Sequence, residues 1–295
     1  MNIIAPARNK IPDSAVNMQI INDLRDMQNL SLNWERDKSV GFVPTMGYLH
    51  AGHLSLVAKS NLQCDLTVVS IFVNPAQFGP QEDLNTYPRD FEHDLNLLQQ
   101  YKVDYVFFPS AEMMYPAGYL TWVEVDKLSS VLCGASRPGH FRGVATVIAK
   151  LVNLVKPNYM FMGEKDYQQC IVLETMLRDL NFPTEIVRCP IIREPDGLAM
   201  SSRNKYLNSD ERQKALCLSQ ALKLAQTLIK EGEKEACVLQ EKMSALITQA
   251  EGRIDYIAFV DRDTLQPVNA VTDKTRILLA VYIGKTRLID NCAAL

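Results

Sequence analysis

Short apolar runs rich in β-branched and aromatic residues recur along the first two thirds of the chain, at Val40–Val43, Leu66–Val73, Tyr105–Phe108, Tyr159–Met162 and Ile186–Ile192. Between them lie longer stretches whose apolar residues return every three or four positions: Gly52–Leu62, Asp90–Tyr101, Val144–Val155 and Tyr167–Leu180. Strand and helix patterns in alternation predict an α/β fold, a Rossmann-like parallel sheet with crossover helices. In the fourth helix Cys170, Leu173, Met176, Leu177 and Leu180 form one apolar stripe while Tyr167, Ile171, Thr175 and Arg178 fall elsewhere, which predicts burial of a single face. Pro157 and Pro183 close the third and fourth helices, because proline lacks an N–H and disfavours a helical residue before it.

After about Glu194 the rhythm changes. Two long helical stretches, Ser209–Glu231 and Glu233–Ala250, precede strand-like Ile254–Val260 and Arg276–Ile283, which predicts a smaller C-terminal α+β domain. Pro195, Asp196 and Gly197 supply turn chemistry at the changeover. The expected division is therefore 1–191 for the Rossmann-like domain and 192–295 for a lid.

Composition narrows the classes. A content of 47% hydrophobic and 22% charged residues can build a substantial core. The 31 basic and 34 acidic residues are spread along the chain and sum to −3, so no broad positive field exists to draw nucleic acid. No run approaches the roughly 20 apolar residues of a membrane span. Met1–Lys10 lacks the apolar core of a leader, so the expected location is cytoplasmic. The seven cysteines are scattered, without a CxxC pair or a histidine at zinc spacing, and read as reduced structural thiols. No metal-ligand set is assigned.

The chemistry gathers where strands end. The first strand runs into Pro44-Thr45-Met46-Gly47-Tyr48-Leu49-His50-Ala51-Gly52-His53, and a helix follows. In an open parallel sheet that position faces the ligand crevice, and a helix start offers free N–H groups to phosphate. Gly47 and Gly52 allow close backbone approach, and two imidazoles one turn apart can donate hydrogen bonds to the same phosphate chain. Two of only four histidines fall in this window, which weighs against one structural and one surface histidine. Gly163-Glu164-Lys165-Asp166 is a second strand-to-helix junction; alone it also reads as a solvated charged helix start. Gln169 lies one turn beyond Lys165. Gln77, in a Pro-containing loop after the second long strand, offers an amide that donates and accepts, with a plain turn residue as the alternative. Asn74 and Tyr87 are weaker candidates beside it. Met200-Ser201-Ser202-Arg203 follows Gly197 as a loop able to close over a nucleotide, the alternative being an exposed linker. Arg137 and His140 are read as a cationic wall.

The HxGH element is the signature of the nucleotidylyl-transferase superfamily, and the longer PTMGxLHxGH resembles the pantothenate synthetase family. Further segments are similar to that family in its order: Ser70–Val73 with Asn74-Pro75, Gln77 and Phe78; Tyr87–Arg89; Arg137–Val144; Gly163–Gln169; Asp196–Asn204; and Arg287–Asn291. The resemblance implies an acid–amino-acid ligase that uses ATP with Mg2+ to make pantothenate, AMP and pyrophosphate from pantoate and β-alanine through a pantoyl-adenylate, and it implies a homodimer. It implies ATP contacts from Met46–His53, Gly163–Asp166, Ile192 and Met200–Arg203, with pantoate on Gln77 and Gln169 and β-alanine later on Gln77. Ala199 departs from the KMSKS loop of the wider superfamily, since no lysine stands there, and Lys165 and Arg203 are expected to supply the charge. A plain nucleotidylyl transferase and a nucleotide-binding regulator without catalysis are the other readings.

Overall fold

The computed structural model describes residues 18–80 and 82–295, so Met1–Lys10 lies outside the described residues. The chain opens with β1 (Gln19–Ile21) and α1 (Leu24–Leu32), then passes through β2 (Val40–Thr45), α2 (Ala51–Gln63), β3 (Leu66–Ile71), α3 (Phe91–Leu98) and β4 (Tyr105–Phe107). Short helices α4 (Ala111–Met114) and α5 (Cys133–Ser136) precede α6 (His140–Val155), β5 (Tyr159–Gly163), α7 (Tyr167–Asp179) and β6 (Glu185–Cys189). The six strands form one sheet in the order β1-β4-β3-β2-β5-β6, and every pairing is parallel.

Both faces of this sheet are covered, which is why its strands read as unbroken apolar runs. Phe42 and Val68 pack with Met27 of α1 and with α6 and α7, whereas their neighbours Val43 and Val69 pack with α2 and α3. From β2 the chain builds outward to β3 and β4, then returns to lay β5 and β6 on the other side. The order reverses between β2 and β5, so the carboxyl ends of these two strands flank the crevice where ligands bind in such sheets.

The second unit holds α8 (Ser209–Ala215), α9 (Cys217–Lys230), α10 (Ala236–Gln249) and an antiparallel sheet of β7 (Arg253–Asp261), β8 (Thr275–Ile283) and β9 (Thr286–Ala293). Its own core joins Leu218, Leu222, Leu239 and Met243 to Ile277, Leu279 and Val281.

Several expectations shift. The strand expected to reach Ile192 stops at Cys189, because Pro190 has no N–H for the ladder. The third long helix begins at His140 rather than Val144, with Gly139 at φ 81°. The stretch 209–231 divides at Leu216, whose N–H bonds back three residues to Gln213 at 3.2 Å. The single-face expectation for α7 is overturned: Tyr167 and Ile171 are also buried, in a cluster with Val260, Leu265 and Leu278. The small sheet covers the face that sequence pattern leaves to solvent.

Candidate active site

The Pro44–His53 turn leaves β2 through two residues of positive φ, Gly47 at 79° and Tyr48 at 51°. A Cβ on Gly47 would sit 3.0 Å from both Asp94 and Ile71, so the turn needs glycine for space as well as conformation. Asp94, buried on α3, accepts the Tyr48 N–H at 2.8 Å and the Leu49 N–H at 2.6 Å. It holds the backbone that presents the histidines. Ser202 fastens the same turn from the other side, its hydroxyl donating to the Tyr48 carbonyl at 3.3 Å.

His50 caps α2. Its Nδ1 accepts the Gly52 N–H at 3.1 Å, while its own N–H donates to His53 Nδ1 at 3.4 Å, and the rings stack 4.0 Å apart. With both Nδ1 atoms accepting, each neutral ring carries its hydrogen on Nε2, the remaining donor. Burial and the nearby Lys165 charge pull His50 down to about 4 and hold His53 well below the ordinary histidine range. Both imidazoles are therefore neutral at pH 7. Gly52 protects this arrangement, since a Cβ there would lie 2.9 Å from the His50 ring.

A cavity of about 230 Å³ collects most of the residues singled out above: Met46, His50, Gly52, His53, Gln77, Gly163, Lys165, Asp166, Gln169, Ile192, Met200, Ser201, Ser202 and Arg203. It adjoins a larger cleft of about 1050 Å³ between the two sheets, and Lys165, Gln169 and Arg203 line both. Gly47, Tyr48, Leu49, Ala51 and Glu164 line neither. The first three shape the turn, Ala51 opens α2, and Glu164 faces Arg276 at 3.3 Å.

Gln77 ends a 3-10 turn, Pro75–Gln77, capped by Asn74. The buried Asn74 amide donates to Gln77 Oε1 at 3.0 Å and to the Gly143 carbonyl at 3.1 Å, and Gln77 Nε2 donates to Met46 Sδ at 3.1 Å. Arg137 and His140 stand behind this turn. Arg137 grips Glu82 at 2.6 and 2.7 Å and donates to His140 Nε2 at 3.0 Å, and His140 Nδ1 then donates to the Gln77 carbonyl at 2.9 Å. The expected cationic wall is thereby corrected: His140 is buried and pulled down to about 4 by burial and the Arg137 charge, and Arg137 is already paired. Together they brace Gln77.

Depressed histidines carry a signed pH dependence. Below about 6.5 the unfolded chain takes up protons that the folded chain refuses, so stability falls on acidification toward 4. For His140 alone, the gap between 6.5 and about 4 makes the loss at pH 5 about 2 kcal/mol. Thermal melts should show a midpoint lower by about 4 °C or more at pH 5 than at pH 7.5. The slope should flatten in His140→Gln; an unchanged slope would refute the assignment.

Of the adjacent glutamines, Gln168 is structural, donating to the Leu128 and Val131 carbonyls at 2.9 and 2.7 Å, whereas Gln169 faces the cavity. Lys165 Nζ contacts the Asp166 carboxylate at 3.2 Å. Its backbone is held from the small sheet: Asn291 on β9 donates to the Glu164 and Lys165 carbonyls at 2.9 and 3.0 Å, and the neighbouring Asp290 grips Arg193 at 2.6 and 2.9 Å. Arg203 lies with its fork on Asp83 at 3.0 and 2.8 Å. Ala199 is buried, so no charge stands there. Asp196 pairs with Arg212 at 2.6 Å. Among the described residues no cluster of three or more His, Cys, Asp or Glu is arranged to hold a metal, and no helix is long and apolar enough to cross a membrane. All seven cysteines are free thiols.

Residues 19–293 match the family described as Pantoate-beta-alanine ligase. The chain belongs to that family. This ligase is 53% identical over 275 residues to the pantothenate synthetase of Thermosipho africanus, covering 93% of this chain and 99% of that protein. The pantothenate synthetase of Geobacter sulfurreducens is likewise 53% identical over 277 residues, covering 93% and 98%. The crystal structure of the pantothenate synthetase from Thermus thermophilus superposes with a TM-score of 0.89 at 44% identity, covering 94% of this chain and 99% of that one. A pantoate-beta-alanine ligase from Francisella tularensis, crystallised with β,γ-ATP and β-alanine, superposes at 0.79 with 36% identity and coverages of 94% and 98%. The ligase is thus an ATP-dependent enzyme that joins pantoate to β-alanine.

Asp94, Asp83 and Asn291 escaped the sequence reading. Asp94 left one faint mark, a carboxylate one turn before the buried Leu98 on α3. Asn291 stood in a quoted motif without a role.

Proposed function

We propose that the cleft divides the reaction between two groups of side chains. His50 and His53, through Nε2–H, hydrogen-bond the phosphates of ATP, and Lys165 and Arg203 neutralise the charge that grows as pyrophosphate leaves. Gln77 and Gln169 hold pantoate so that its carboxylate meets the α-phosphorus, and Gln77 then receives β-alanine, whose amine attacks the pantoyl-adenylate carbonyl and releases AMP. The protein forms no covalent bond to substrate, so positioning and charge stabilisation carry the rate.

The observation that carries this reading is the pair of Nδ1 acceptor bonds in the His50–His53 cap, which leaves the two Nε2 atoms as donors on rings that line the same cavity as Lys165. Magnesium enters as MgATP, held by phosphate oxygens and water. Residues 192–295 serve as the lid, with Met200–Arg203 as its leading edge. A homodimer fits the exposed apolar side chains of Leu120 and Trp122, and the cytoplasm fits the free thiols.

Pantoate-dependent exchange of pyrophosphate into ATP, with β-alanine added second to release AMP, tests the sequence of steps. In that assay Gln77→Ala should raise the pantoate KM at least tenfold while ATP binding stays within about twofold. An equal loss of ATP affinity would remove Gln77 from the acid subsite.

A further inference from the structure

The segment between the Gln77 turn and α3 sets consecutive carboxylates on the two arginines of the smaller cavity. Glu82 takes Arg137 and Asp83 takes Arg203, each through Nε and Nη2. The two pairs differ in how they are backed. Arg137 is also bound to His140 and lies near the Gln77 carbonyl, so it belongs to a fixed brace. The only side-chain hydrogen-bond acceptor of the Arg203 guanidinium, among the described residues, is Asp83. The Tyr87 ring lies 5.7 Å away, and both members of the pair are largely removed from water.

We propose that Asp83 is a placeholder anion: it occupies the Arg203 fork until the nucleotide binds and is then exchanged for a phosphate of ATP. The inference rests on the reading of Arg203 as a phosphate ligand. A carboxylate and a phosphate present similar oxygen edges to a guanidinium, so one fork accepts either but not both. The chemistry makes the placeholder useful, since a guanidinium largely removed from water would carry a desolvation cost if it had no partner. Glu82 stays anchored through Arg137 to the Gln77 turn, so the acid-binding glutamine keeps its place when Asp83 is released.

A self-anion that competes with the ligand lowers apparent affinity by the fraction of protein in the unpaired state. Removing it should therefore tighten nucleotide binding. Calorimetric titration of the full-length protein with a non-hydrolysable ATP analogue and magnesium should give a Kd about five- to tenfold lower in Asp83→Asn and in Asp83→Ala than in the unaltered chain. In an Arg203→Met background the same Asp83 substitutions should change the Kd less than about twofold. An unchanged or weaker affinity in both Asp83 variants overturns the placeholder, as does an equal gain without Arg203. If Arg203→Met alone leaves nucleotide affinity intact, the phosphate role of Arg203 fails instead, and the two failures are told apart by that single variant. Circular dichroism of each variant confirms that the fold is retained.

Discussion

Replacing His53 by alanine is expected to slow pantoate-dependent ATP–pyrophosphate exchange by roughly 10²- to 10³-fold, the cost of about 2.7–4 kcal/mol for losing one donor to developing charge. The effect should exceed that of a simple deletion, because His53 Nδ1 also accepts the His50 N–H and its ring stacks on His50. Losing it unties the cap that fixes the other imidazole. His53→Gln, which restores an amide donor of similar reach, should recover part of the rate. ATP affinity should fall far less than the rate, since the hydrogen bonds strengthen as charge develops. Exchange within tenfold of the unaltered enzyme would remove His53 from the phosphate site.

The second large effect is expected far from any reacting atom. Gly143, one turn into α6, packs directly under the turn that carries Gln77, and a Cβ there would fall inside contact distance of the Ala76 carbonyl. Backbone cannot step aside as a flexible side chain does. Gly143→Ala should cost about 1–3 kcal/mol or more of stability by overpacking. It should also displace Gln77, and a displacement of about 1 Å can cost on the order of 10²-fold in rate. The signature is a lowered melting temperature with a raised pantoate KM and little change in ATP Kd. Normal pantoate kinetics would show that the turn tolerates the shift.

The parallel sheet was legible because strands buried on both faces leave continuous apolar runs. What escaped notice did so for local reasons. β1 is a three-residue edge strand, too short to impose a period. β9 hides its alternation because the inward position after Leu288 is Asp290, which is buried only through its pairing with Arg193. The convergence of His50, His53, Lys165 and Gln169 on one cleft follows from strand ends at the β2–β5 reversal, a feature that motif position alone suggests. Their supports do not follow from sequence. Asp94 lies 46 residues from Tyr48 and Asn291 lies 126 from Lys165, and neither stands among residues that signal a partner. Arg137 and His140 were misread because a sequence displays charge but not its neutralisation by Glu82 or by burial.

The sandwiching of α7 between the large sheet and the small one bears on how the chain can be cut. Tyr167 and Ile171 would become an oily scar on the nucleotide half if residues after 191 were removed, and the Glu164 and Lys165 carbonyls would lose their Asn291 tether. Catalysis and solubility are therefore inherited together: neither half is a portable module, and grafting or truncation at the apparent boundary forfeits both.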